Sequence, residues 1–370
     1  MTAATRFELP PELSATEPPE ARGAARDDVR LLVARPTGSI RHRRFRDLPT
    51  ALVPGDLVVV NTSPTAPAAV DALRGDGRGV TVHISGPVPG GPEEFVVELR
   101  SPGGERVSDG RAGEQIELPG NGSVVLRGGH PDEAVRAGSR LWRARFDIGA
   151  DLMGWLHRHG RPISYSYLRR HWPLSAFQTI FARPGTADGH PFPSAEMPSA
   201  ARPFTHPVLA ALAARGVGVA EIVLHTGVSS LEADEVPLPE RYRVPPATAD
   251  AVNATRAAGG RVVAVGTTVT RALETVAAAD RTVRAGAGWT DLVLGPDRPA
   301  RIVGGLITGW HEPQASHLLL LEAVAGGELV ARAYAAALAE RYRWHEFGDT
   351  CLLFGPDRLL PATTTTDRIR

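Results

Sequence analysis

RVVAVGTTVTRALET, Arg261 to Thr275, is an apolar, β-branched run that breaks at a glycine and resumes with helical spacing. Val262 to Val265 read as a buried strand. Val269, Ala272, Leu273, Val276 and Ala277 then recur at i, i+3 and i+4, the core face of a helix reaching about Ala279. A strand turning directly into a helix is the unit of a parallel α/β sheet. In such sheets ligands bind beyond the carboxyl ends of the strands, where free helix N–H groups face outward. Gly266, Thr267 and Thr268 stand at that turn, and Thr268 is either a simple N-cap or a ligand contact. Arg271 and Glu274 share the face opposite the core, three residues apart, where they can pair. The macrodipole disfavours an arginine in a first turn by roughly a few tenths of a kcal/mol. Arg271 therefore answers either to Glu274 or to an anionic ligand group.

The same alternation continues outward. Upstream, Thr205 can cap a helix over Pro207 to Arg215 that Gly216 ends, and the strand VGVAEIVLH follows, Val217 to His225. Thr248 can cap a further helix, ended by Gly259-Gly260. Downstream come LITGW, a helix through LLLLEAVAG, and a long helix from Glu328 to about Tyr342. Near the start, Pro54-Gly55-Asp56 makes a turn and Leu57 to Val60 a buried strand; the residues before it look irregular. From Pro67 to Phe146 the pattern changes to short alternating pieces (VTVHIS, EFVVELR, EQIELP, SVVLRG, LWRARFD) between Gly/Pro-rich turns, as in a small barrel. The expected architecture is an α/β main domain with a largely parallel sheet, residues 1–66 and 147–370, plus an inserted small all-β barrel domain at 67–146. The Pro/Gly/Ser-rich stretch Gly185 to Pro203 reads as a mobile loop of the kind that borders active sites.

Composition narrows the function. The 370 residues carry 41 basic and 41 acidic side chains, so no global basic field recruits nucleic acid and any RNA contact must be local. Every basic residue apart from histidine is arginine, which fits the Ala-, Gly- and Pro-rich composition. A single cysteine, Cys351, excludes intramolecular disulfides and thiolate-rich metal sites, and reads as a buried small hydrophobe. The start, MTAATRFELPPEL, lacks a secretory pattern, and LLLLEAVAG is too short for a membrane span and contains Glu322. A monomeric cytoplasmic protein without membrane or metal is expected.

Taken in order, FELPPEL, DLPTALVPGDLVVVN, FQTIFA, VLHTG, GGRVVAVGTTVTRALET, GGLITGWHEPQASHLLLLEAVAG and ERYRWHEFGD resemble the S-adenosylmethionine:tRNA ribosyltransferase-isomerase family of queuosine biosynthesis. The resemblance runs nearly end to end; AVGTT-x-x-R-x-L-E and LIT-x-x-H-x-P are its most specific parts. It implies an α/β domain with an inserted barrel, S-adenosylmethionine as co-substrate, and tRNA as partner. The implied reaction moves the ribosyl part of S-adenosylmethionine to a 7-deazaguanine base (preQ1), forming epoxyqueuosine and releasing adenine and methionine. Three departures stand out. Pro64 and Ala69 occupy positions where the family has arginines, Pro203 replaces a histidine, and Gly309-Trp310-His311-Glu312-Pro313 replaces NFHLP. Lost arginines weaken phosphate contacts. A small-molecule acceptor, or a binding protein without turnover, therefore stands beside tRNA modification as an alternative.

Individual residues follow from both readings. His225 ends a strand at the functional edge of the sheet, and an imidazole with pKa near 6.5 suits proton removal. His311 lies in TGWHEPQASH, which is no HExxH zinc helix because Pro313 interrupts it and Ala315 stands four residues on. The resemblance puts both histidines in or near the pocket as candidates for the catalytic base, and leaves open which one acts. Asn61, Gly266, Thr267, Thr268, Arg271 and Glu274 are the candidate substrate- and cofactor-binding residues; Asn61 could bind ribose or adenine, or cap its own turn. Asp56 and Asp349 read as structural. Arg41-His42-Arg43-Arg44 could touch RNA or lie on a solvated face.

Overall fold

The run LVVVN, Leu57–Asn61 (β3), is buried at every position, as a strand covered on both faces must be. It pairs in parallel with β10 (Gly218–His225) and with β12 (Val262–Val265), and β12 pairs in parallel with β14 (Gly305–Gly309). The structure, a computed structural model, describes residues 3–131, 140–183, 192–229, 237–313 and 315–356.

Outside this parallel centre the sheet becomes mixed. β15 (Thr350–Phe354) runs antiparallel to β14, β1 (Arg30–Ala34) parallel to β15, and β2 (Ile40–Arg44) antiparallel to β1. At the other edge β11 (Glu240–Val244) and β13 (Gly286–Thr290) are antiparallel, which completes the order β13-β11-β10-β3-β12-β14-β15-β1-β2. Alternate residues face opposite layers. Val59, Ala264 and Leu306 pack under the helices of one face, while Val58, Val60, Val263 and Ile307 pack with Phe204, Val208 and Leu212 on the other.

The helices are α1 (Leu48–Ala51), α2 (Leu152–His159), α3 (His206–Ala214), α4 (Pro246–Ala257), α5 (Thr267–Thr275), α6 (His317–Ala325) and α7 (Gly327–Ala339). Thr205 caps α3 as expected, accepting from the Val208 N–H at 3.4 Å. Four local expectations are corrected. The N-terminal region is irregular, apart from short 3-10 turns, only as far as Val29: RLLVA and IRHRR are β1 and β2, and the charged edge strand forms because β1 offers a ladder, not because its own residues favour one. Thr248 does not cap α4; the helix opens at Pro246, and the Thr248 hydroxyl donates to Glu221 O at 2.5 Å. α5 stops at Thr275, whose hydroxyl bonds back to Arg271 O and meets Thr290 Oγ1 at 2.6 Å. α7 ends at Ala339, three residues before Tyr342.

The expected barrel is closed and six-stranded, in the order β4-β5-β6-β9-β8-β7. Its strands are β4 (Ala69–Arg74), β5 (Gly79–Val88), β6 (Gly91–Arg100), β7 (Gln115–Leu118), β8 (Gly122–Gly129) and β9 (Leu141–Asp147). Val70, Val82, Val97, Leu99, Ile116, Val124 and Leu126 fill its interior in the alternation a barrel demands. Phe192, Ala195 and Val228 pack against the barrel core, and the Val228 N–H donates to Ser85 Oγ at 3.0 Å. The barrel thus sits over the carboxyl end of β10. Among the described residues no helix is long and apolar enough to cross a membrane.

Candidate active site

Beyond the ends of β10, β12 and β14 the chain encloses a cavity of about 590 Å³. Gly266 makes the turn from β12 into α5 at φ +92°, where a side chain would be strained, and its N–H donates to Ile307 O at 2.8 Å. Gly266, Thr267, Thr268 and Arg271 line one wall, and Thr308 to Pro313 with Ser316 and His317 a second. Thr226 to Ser229 close a third side, with Glu196 and Pro198 to Ala200 beside them. Within the loop expected over 185–203, residues 185–191 lie outside the described residues.

Thr268 is not an N-cap. Its hydroxyl is buried with no partner among the described residues, as are Trp310 Nε1 and Ser316 Oγ, all on residues that line the cavity. An unmet buried polar group costs about 1–3 kcal/mol.

Arg271 lines the cavity but does not pair with Glu274. Its Nη1 is bonded to Glu240 Oε2, Nε to Leu292 O at 3.1 Å, and Nη2 to Leu238 O and Thr290 O at 3.2 and 3.1 Å. Glu274 points elsewhere, accepting from the N–H groups of Arg301, Ile302 and Val303 at 2.9, 2.8 and 3.0 Å. Both side chains are buried, not on a free face, and Glu274 does not reach the cavity. The helix sits deeper than its period suggests, because the 290–303 segment folds back over its polar side. Asn61 is likewise occupied: its amide donates to Leu224 O at 2.8 Å and accepts from the N–H groups of Ser63 and Leu224. It closes its own turn and pins β10, and it does not line the cavity.

The two histidines separate. His311 lines the cavity, with Nε2 3.0 Å from Thr308 Oγ1 and its ring stacked on His317 at 4.6 Å and 3°. Burial, then neighbouring His317 and His345, hold it well below the ordinary 6.5, so it is a neutral base at pH 7. His225 sits behind Glu240, bonded through Nδ1 to Ser63 Oγ at 2.8 Å, in a separate cleft of about 30 Å³. Asp56 and Asp349 are structural: the first pairs with Arg261, and the second accepts from the N–H groups of Arg30 and Arg343.

Several cavity residues escaped the sequence reading. Tyr165 and Tyr167 line an aromatic side, Tyr167 stacking on His345 at 3.9 Å and 7°. Tyr165 donates to Glu196, and Tyr167 to Glu346 at 2.5 Å. Burial pushes the Glu346 carboxyl up to about 7 and holds His317 and His345 at about 4, with Arg271 adding to the effect on His317. Arg100 comes from the barrel and is tied to Glu98, a fully buried carboxylate that also holds Arg140 at 2.6 Å. Glu196, Glu312 and Glu346 therefore stand beside two guanidinium groups, Arg100 and Arg271, that are already paired with Glu98 and Glu240. SYSY and WHEF were visible signals, but nothing local says that they meet.

The family model described as "Queuosine biosynthesis protein" matches residues 2–353. The S-adenosylmethionine:tRNA ribosyltransferase-isomerase of Geobacter sulfurreducens is 35% identical over 359 residues, covering 94% of this chain and 98% of that protein. The protein of the same name from Symbiobacterium thermophilum is 37% identical over 356 residues, again 94% and 98%. The crystal structure of an S-adenosylmethionine tRNA ribosyltransferase from Thermotoga maritima is similar at a TM-score of 0.50 and 29% identity, over 94% of this chain and 99% of that one.

Proposed function

The chain belongs to the queuosine biosynthesis protein family, and on that premise we propose that it is an S-adenosylmethionine-dependent ribosyltransferase-isomerase acting on tRNA. In this reading it joins the ribosyl moiety to the aminomethyl group of a 7-deazaguanine base (preQ1), yielding epoxyqueuosine with release of adenine and methionine. One observation supports it most: the cavity has more carboxylates than cations, and its two arginines are already paired. Such a wall favours two positive charges, a sulfonium and the ammonium of an aminomethyl base. Tyr165 and Tyr167 add aromatic surface to the same wall.

His311 is the group we assign to proton removal from the ribose carbon beside the sulfonium, because it is neutral and lines the cavity. Thr308 orients its ring through Nε2, which frees Nδ1 to accept the proton when Nε2 is the donor nitrogen. Thr267, Thr268, Ser316 and Trp310 would bind substrate polar groups. Gly266 shapes the turn, and Arg271 positions the loops around it.

The small-molecule alternative rested on three departures. Ala69 and Pro203 are buried and Pro64 is half-buried, and none of the three lines the cavity. The deciding assay incubates the chain with S-adenosylmethionine and preQ1-containing tRNA. Adenine release with epoxyqueuosine in the tRNA is expected; no adenine ends the catalytic reading, and adenine with unmodified tRNA moves it to another acceptor.

A further inference from the structure

The cavity wall repels a polyanion, so a tRNA held at this site must be gripped outside it, with only the target base inserted. One segment leads straight from wall to surface. Ile163, Tyr165, Ser166 and Tyr167 line the cavity, and Arg169, Arg170 and His171 are exposed directly after it. Among the described residues Arg169 and Arg170 have no carboxylate within ion-pair distance. The Arg170 guanidinium lies 3.9 Å from the ring centre of Trp172, which is only half-buried.

A third arginine borders the same mouth. The Arg169 N–H donates to Thr16 O at 3.3 Å and the Ala15 N–H to Trp344 O at 3.1 Å, so residues 15 and 16 lie between the two segments. Arg343, exposed and also without a carboxylate partner among the described residues, precedes Trp344 and the cavity residues His345 and Glu346.

We propose that Arg169, Arg170 and Trp172, with Arg343 across residues 15 and 16, form the face on which tRNA docks. The arginines take backbone phosphates, and the Arg170–Trp172 pair is a platform for an unstacked base beside the one that enters the cavity. This rests on the reading of tRNA as acceptor. The competing run Arg41 to Arg44 is on β2, three strands beyond β14 in the sheet, which at about 4.8 Å per strand is about 14 Å further out.

Anisotropy titrations of the full chain with a labelled tRNA transcript, across a salt series, test the face. Arg169→Ala with Arg170→Ala should flatten the slope of log affinity against log salt by about 1.5, from ~0.7–0.9 per phosphate contact. Trp172→Leu should lower affinity about tenfold with the slope kept, and Arg41→Ala with Arg43→Ala should change neither. A wild-type chain that binds while the Arg169/Arg170 variant, folded by circular dichroism, keeps the full slope overturns the face alone. Flattening in the Arg41/Arg43 variant instead also overturns it. A wild-type chain that binds no tRNA at any salt removes the tRNA reading itself.

Discussion

The guanidinium of Arg271 closes on the carboxylate of Glu240, and its other N–H groups donate to the carbonyls of Leu238, Thr290 and Leu292. Glu240 in turn accepts from the Gly227 N–H at 3.3 Å, so one buried pair ties α5 to the loop after β10 and to the segment after β13. Both tied loops are cavity walls.

Arg271→Met should therefore cost stability before affinity. Removing one member of a buried pair leaves the other uncompensated, at about 3–5 kcal/mol. Glu240, whose carboxyl burial already pushes up against the pull of Arg271, can limit the loss by taking a proton. A large drop in urea midpoint is expected. An unchanged midpoint with weakened S-adenosylmethionine binding in calorimetry would show Arg271 to be a ligand contact instead.

Glu274→Ala strips three backbone N–H groups of their acceptor inside the fold. At about 1–3 kcal/mol for each unmet group, the denaturation midpoint should fall strongly here too. Once corrected for the unfolded fraction, ligand affinity should stay at the wild-type value, since Glu274 does not line the cavity.

His311→Gln should slow adenine release by about 10²–10⁴, the usual range for a lost general base, with S-adenosylmethionine affinity changed only a few-fold. His225→Gln should do much less, because His225 lies outside the main cavity. The reverse ranking in single-turnover assays would transfer the base to His225.

Glu346 gives the fold a pH signature. Burial sets its carboxyl at about 7 against an ordinary 4.5, so between those values the folded chain keeps a proton that the unfolded chain has lost. Stability from this group is full below pH 4.5 and is lost as pH rises toward 7. His317 and His345, held at about 4, act in the opposite sense from about 4 to 6.5, so wild type must be compared with Glu346→Gln. The variant's stability should decline less between pH 4.5 and 7; parallel curves would place an ionised Glu346 in the native state throughout.

Much of this molecule was legible in one dimension. The switch from period two to period 3.6 at Gly266 locates β12 and α5, and strict alternation locates the barrel, because both patterns record which face each residue buries. β2 escaped because IRHRR carries no such record; its partner supplies the ladder. Thr268 was placed at the right turn, but its hydroxyl serves no cap.

The sequence alone determined the two architectures, the turn at Gly266 and the family, since each depends on residues close along the chain or on motifs in order. Only the tertiary structure decided which polar groups meet. Arg271 pairs across 31 residues with Glu240, Tyr167 across 179 with Glu346, and neither choice is written in helical spacing. A buried charge or hydroxyl takes whatever partner the folded backbone brings within hydrogen-bond reach, and that is set by the packing of distant segments.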